Sequence, residues 1–209
     1  MKKRFSLLIF FAFATSAMLS TQFVPFLTEM GYSPMQRGSI LSSYAILGML
    51  SQMLFGYLSD KSGSIKRPMY FSIVSASLLA LATFHVEKPF YLYHFVMLTL
   101  TAGMLSAMGN LMETWIMEVE ETREVFSAIR SFGSLGWALS SLISGQLAHY
   151  RGFRFLSYAA FLMSLLFLFF AKNAPDAAKV DVQSLQLSDL KILFQNKAYV
   201  LLILIYLGT

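Results

Sequence analysis

The chain contains no cysteine. A disulfide framework, a thiol nucleophile and a thiolate metal site are therefore excluded. Charge is scarce too: 13% of the 209 residues are Asp, Glu, Lys or Arg, against about a quarter in a soluble domain. Nor is there a metal-spaced histidine cluster, a nucleophile motif or a phosphate-binding loop among the residues, so neither an enzyme nor a bound cofactor is expected.

What is abundant is apolar sequence, at 56% of the chain. Uncharged runs cover residues 5–28, 38–59, 68–86, 89–112, 131–150 and 155–171, with lengths of 24, 22, 19, 24, 20 and 17. A last run of 12, 198–209, ends with the sequence. A helix needs roughly 20 apolar residues, about 17 at least, to cross the hydrocarbon of a bilayer. Six runs meet that length. A soluble bundle would need polar helix faces, which these runs lack, and barrel strands would alternate in polarity. The fold expected is an all-α membrane protein. Its parts are a six-helix transmembrane bundle over 1–174, a cytoplasmic linker over 175–197, and the start of a seventh helix over 198–209. Pro175 is expected to stop the sixth helix.

The net charge of +5 does not point to nucleic acid, because the basic residues sit at the ends of the apolar runs, where they set orientation in a lipid bilayer. Lys2, Lys3 and Arg4 followed by an apolar run resemble a secretory signal, but the cleavage-like Ala12-Phe13-Ala14 falls inside the run, so an uncleaved first span is expected. Lys and Arg counted on alternate sides divide 12 to 4. The richer side should face the cytoplasm, which places the amino terminus there, in a multi-pass protein of the cell membrane.

Polar residues within such spans mark inward faces. In the fourth run Thr99, Gly103, Ser106, Asn110 and Glu113 follow steps of 4, 3, 4 and 3. In the fifth, Arg130, Ser134, Trp137, Ser141 and Ser144 repeat the pattern. Thr15 and Gln22 lie seven apart on the first. Glu113 and Arg130 have opposite charge and sit near the same end of two antiparallel spans, so an ion pair between them is expected, either as a functional pair or as a tie between helices. Gly136, Ser140 and Ser144 form a small-residue stripe suited to helix packing. His85 and His94 are expected to be loop or interface residues.

Between the second and third spans stand Gly56, Asp60, Lys61, Gly63, Lys66 and Arg67. The spacing resembles the loop motif of the major facilitator superfamily, with the basic pair one residue late. Gly56 suits close helix approach, Asp60 capping or pairing at a helix end, and Gly63 a tight turn, together a conformational latch. The stretches 112–119, 128–139, 54–61 and 168–172 resemble the oligosaccharide–proton symporters of that superfamily more narrowly. In those transporters a helix-four Glu and a helix-five Arg bind sugar hydroxyls, and a helix-five Trp stacks on the sugar ring. The resemblance places these roles on Glu113, Arg130 and Trp137. The adjoining polar residues Asn110 and Gln22 complete the expected substrate-binding set. The loop between Glu113 and Arg130 is one residue shorter here, and Ser134 stands where the family has a cysteine.

The resemblance implies secondary active transport of a small polar solute, a sugar or something like it, together with protons. It also implies a second six-helix half opposite this one, so the chain is expected to be the amino-terminal half of a transporter. Relatives with this fold carry nucleosides, aromatic acids or drugs; the opposed charges of Glu113 and Arg130 favour a hydroxylated solute over a lipophilic cation. A piece that folds or associates without transporting is the reading from a different class.

Overall fold

The computed structural model describes residues 1–176. Among them the chain is helical throughout, without a strand. The helices are α1 (Lys2–Ser20), α2 (Phe23–Glu29), α3 (Pro34–Ser62), α4 (Lys66–His85), α5 (Tyr91–Glu118), the short α6 (Glu120–Arg123) and α7 (Phe126–Ala171). Five stretches are long and apolar enough to cross a membrane: Lys2–Glu29, Pro34–Ser62, Lys66–His85, Tyr91–Glu118 and Phe126–Ala171. The last has 46 residues, about 69 Å at a rise of about 1.5 Å each, more than twice the roughly 30 Å hydrocarbon core. It is divided at Gly152, whose φ of 80° and ψ of 168° no helix contains. The pieces, 126–151 and 153–171, are the fifth and sixth expected spans. The expected linker beyond Asp176 and the start of a seventh helix lie outside the described residues.

Each boundary has a local cause. α1 and α2 form one span with a break at Thr21 and Gln22. Pro25 has no N–H to give the Thr21 carbonyl, and so interrupts the helical ladder. Ser144 of α7 closes the gap with two side-chain bonds: its Oγ is 3.1 Å from Thr21 Oγ1 and accepts from Gln22 Nε2 at 3.1 Å. α3 opens on a capping box. Ser33 Oγ accepts from the Gln36 amide at 3.3 Å, and the Ser33 amide donates to Gln36 Oε1 at 2.9 Å. It closes on Gly63 in the left-handed conformation, φ 59°.

α1 packs along α7, α5 lies between α3 and α4, and α4 also touches α7. Small residues make the tight contacts, as expected where lipid offers no hydrophobic drive between helices. A Cβ on Gly136 would stand 2.5 Å from the Phe10 carbonyl oxygen. A Cβ on Gly103 would stand 2.6 Å from Ser51 Oγ, and one on Gly48 2.8 Å from Ser106 Oγ. Ser140 and Ser144 are buried on the same stripe as Gly136. Aromatic rings fill the wider spaces: Phe5 meets Trp115 edge-on at 5.4 Å, and Phe26 meets Phe84 and Phe153 at 4.9 and 5.2 Å.

Replacing Gly136 by Ala should separate α1 from α7 and destabilise the protein by about 1–3 kcal/mol. Gly38→Ala, where no atom lies within 4 Å of the new Cβ, should not. Thermal unfolding of the two variants in detergent, followed by tryptophan fluorescence, checks this.

Candidate functional site

The two polar stripes meet as their spacing predicts. Arg130 Nε donates to Glu113 Oε1 at 2.5 Å, and Arg130 Nη1 donates to Ser134 Oγ at 3.3 Å. The guanidinium lies over the face of Phe13 at 4.5 Å, a cation–π contact. Three elements therefore hold one cation: the carboxylate from α5, a hydroxyl one turn along α7, and a ring from α1. The pair is not sealed. Arg130 and Glu113 remain 34% and 40% exposed.

Glu113 opens onto a cavity of about 320 Å³. Asn110 and Trp137 line it with Glu113, and so do Phe13, Tyr44 and Gln52. Trp137 is 40% exposed, so a face of its indole is available to a ligand. The wall thus combines a carboxylate, side-chain amides and aromatic rings. That set suits a neutral solute with hydroxyl groups and an apolar face. Among the described residues no cluster of three His, Asp or Glu side chains has the geometry of a metal site.

Not every expected residue comes to this cavity: Arg130 bonds Glu113 but is not among the residues that line it. Gln22 is 7% exposed and is held by Ser144 at the break between α1 and α2; it does not line the wall with Glu113. Thr15 is buried and bonds the Phe11 carbonyl of its own helix at 2.9 Å. At the other end of the α5 stripe from Glu113, Thr99 bonds Ser43 of α3 at 2.7 Å, so that part of the stripe packs. His94 and His85 are interface residues. His94 bonds the Tyr32 hydroxyl at 2.7 Å and the Val86 carbonyl at 2.9 Å, and His85 bonds the Tyr158 hydroxyl at 2.6 Å.

At the opposite, basic end, Gly63 makes the turn after α3, Asp60 and Lys61 are exposed beside it, and Lys61 stands over the Tyr57 ring at 5.9 Å. Gly56 has open space where a Cβ would go. The start of α4 receives a carboxylate from far along the chain. Asp176 Oδ1 accepts from the Ile65 and Lys66 amides at 3.0 and 3.2 Å, and Asp176 Oδ2 from Ser64 Oγ at 2.5 Å. This acidic cap at a helix N-terminus satisfies otherwise orphan donors. The carbonyls just before it are bonded as well. Lys66 Nζ donates to those of Lys172 and Ala174 at 3.2 and 2.9 Å, Trp115 Nε1 donates to that of Pro175 at 2.9 Å, and Arg4 to that of Asn173. Segment 172–176 is thus a strap fastening α1, α4, α5 and α7 at one end.

The profile of the MFS_1 like family matches residues 3–208, nearly the whole chain and every helix just described. The chain belongs to the MFS_1 like family. As a member of it, and with its apolar helices, it is a multi-pass membrane protein. The lactose permease of Citrobacter freundii is 27% identical over 158 residues, which cover 68% of this chain and 36% of that protein. The matched part of the MFS_1 like chain therefore covers well under half the length of this relative.

Three contributors to the site were not singled out from the sequence. Phe13 sits in a run so rich in phenylalanine that nothing distinguishes it. Tyr44 is one aromatic among many. Gln52 carried a usable signal, being the one side-chain amide in the run 38–59.

Asp176→Ala should remove the cap from α4 and lower stability by about 1 kcal/mol, without changing the cavity. Unfolding in detergent measures the loss, and quenching of Trp137 by a small aqueous quencher should stay as in the wild type.

Proposed function

We propose that the chain forms the amino-terminal, substrate-gripping half of a secondary transporter that carries an uncharged hydroxylated solute, a sugar before others, across the cell membrane. The observation that carries this reading is the cavity lined by Glu113 and Trp137, with Glu113 held by Arg130. A carboxylate and a forked guanidinium take hydroxyl groups as hydrogen-bond donors and acceptors, while an indole face covers the apolar side of a pyranose. The pair is neutral overall, so a neutral solute leaves no charge uncompensated. The name of the lactose permease relative supports a sugar, and the resemblance to oligosaccharide–proton symporters supports coupling to a proton. Asn110 contributes a further hydrogen bond from the wall.

Transporters of this kind place the solute between two halves near the midplane of the bilayer. The exposed apolar faces of α3 and α7, with Ile46, Met49, Met53 and Leu142 more than half exposed, fit a second six-helix half as partner. Gly56, Asp60, Lys61, Gly63, Lys66 and Arg67 would form the latch that opens and closes the basic end. Asp60 is exposed there, where a charge could meet a moving neighbour.

The site is tested by substitution of the pair in the complete transporter. Glu113→Gln and Arg130→Lys should each cut solute binding at least tenfold, since the first loses charge and the second loses the planar fork. Trp137→Phe should weaken it less than Trp137→Ala. The exchange of both charges, Glu113→Arg with Arg130→Glu, should restore folding but not binding. Native-strength binding in the exchanged protein would show that the pair only fastens α5 to α7.

The orientation is tested with single cysteines in this cysteine-free chain. Ser62→Cys, at the basic end, should resist an impermeant thiol reagent applied outside intact cells, and Lys88→Cys should react. The reverse result would invert the topology.

A further inference from the structure

Away from the cavity at Glu113, a groove of about 480 Å³ opens between α3 and α4 at the basic end of the bundle. Leu54, Phe55 and Leu58 of α3, Phe71 of α4 and Met104 of α5 make its apolar walls, and Arg67 is the sole charged side chain that lines it. The groove reaches from Leu54 to Ser62, eight residues or about 12 Å along α3. Phe55 meets Phe71 at 6.0 Å and joins the two walls. Leu54 and Phe71 are more than half exposed, so the groove opens outward. It lies off the face assigned above to a second half. That face carries Ile46, Met49 and Met53, and Leu54 points about 100° round the helix from Met53.

The guanidinium of Arg67 is exposed and makes no ion pair among the described residues. Its neighbours are engaged elsewhere. Asp176 holds the Ile65 and Lys66 amides, and the Arg67 amide donates to Ser64 Oγ at 3.4 Å. Lys66 Nζ bonds two carbonyls, and Lys61 stands over the Tyr57 ring. A fixed cation at the lip of an apolar groove matches an amphiphile whose anionic group sits above hydrocarbon chains. A guanidinium grips phosphate oxygens with two N–H groups at once. The 12-to-4 division of Lys and Arg assigns this end to the cytoplasmic leaflet, whose surface is rich in anionic lipid.

We propose that this groove binds one anionic phospholipid, with its phosphate on Arg67 and an acyl chain laid along Leu54, Leu58 and Phe71. A zwitterionic lipid carries its own cation beside the phosphate, which competes with the guanidinium. The site therefore prefers a lipid of net negative charge. A soluble phosphate ester has no chain to bury and leaves the apolar walls uncovered. The groove shares no lining residue with the cavity at Glu113, so the site does not depend on which solute is carried.

The test is native mass spectrometry of the complete protein in detergent, titrated with dioleoyl phosphatidylglycerol and separately with dioleoyl phosphatidylcholine. The wild type should retain one phosphatidylglycerol at concentrations where phosphatidylcholine is lost. Arg67→Gln should weaken phosphatidylglycerol roughly tenfold, the effect of losing a charge-assisted hydrogen bond, and erase the preference, while Arg67→Lys should keep part of it. Leu58→Trp should fill the groove and weaken both lipids. Arg123→Gln removes a charge outside the groove, where Arg123 bonds the Met117 carbonyl, and should change nothing. Equal losses in Arg67→Gln and Arg123→Gln would mean diffuse attraction and overturn the site. No loss in Arg67→Gln would overturn it too, and would leave the groove to a helix of the second half. Full binding in Leu58→Trp, or displacement of the lipid by glycerol 3-phosphate, would show that the groove takes no part and would equally overturn the assignment.

Discussion

At Gly136 the backbones of α1 and α7 touch, because even a methyl group there would overlap the Phe10 carbonyl oxygen. The approach fixes several things at once. It lays Phe13, three residues after Phe10, across the Arg130 guanidinium. It brings Ser144 to the break in the first span, where it bonds Thr21 and Gln22. In a bilayer, where lipid tails are as apolar as leucine, this kind of close contact between small residues is what holds helices in register. The surroundings of the guanidinium that pairs with Glu113 thus depend on a glycine two turns away.

The second constraint is the absence of water from the hydrocarbon. Every polar group in a span must find a partner or face an aqueous space. Most do so locally: Ser72, Ser77, Thr83 and Thr101 return their hydroxyls to carbonyls of the preceding turn. Ser77 and Ser164 also bond each other across α4 and α7. Among the described residues Ser20 and Tyr70 keep buried hydroxyls without a hydrogen-bond partner, whereas Asn110, Glu113, Trp137 and Gln52 share the wall of one cavity. At the basic end the same requirement is met by the 172–176 strap, which supplies acceptors to Arg4, Lys66 and Trp115 and a carboxylate to the start of α4.

Much of the fold was legible because the bilayer forces it to be: a span must be an unbroken apolar run, and charges must sit outside it. The six runs correspond to the described helices, with the fifth and sixth joined through Gly152. The 4-3-4-3 stripes correctly brought Glu113 to Arg130, since helical periodicity fixes which residues share a face. They could not separate the part of a stripe that lines a cavity, such as Ser106 and Asn110, from the part that packs, such as Thr99 and Gly103. That depends on how closely the neighbouring helix approaches. Gln22 shows the same limit: the helix breaks beside it, and the amide turns into a packing contact. Phe13 was hidden by composition. Asp176 was hidden by distance, because a polar residue after the sixth run reads as linker, and only the folded chain brings it back to Ser64 and Ile65.

The central claim is that Trp137 faces the solute beside the Glu113–Arg130 pair. The chain has two tryptophans, and Trp115 is buried against Phe5 with its indole N–H bonded to Pro175. The difference in fluorescence between the wild type and Trp137→Phe therefore isolates Trp137. Titrating both with a sugar that binds should produce a saturable change in that difference, with the same midpoint as binding measured independently. A sugar that binds while the Trp137 signal stays flat would contradict the account.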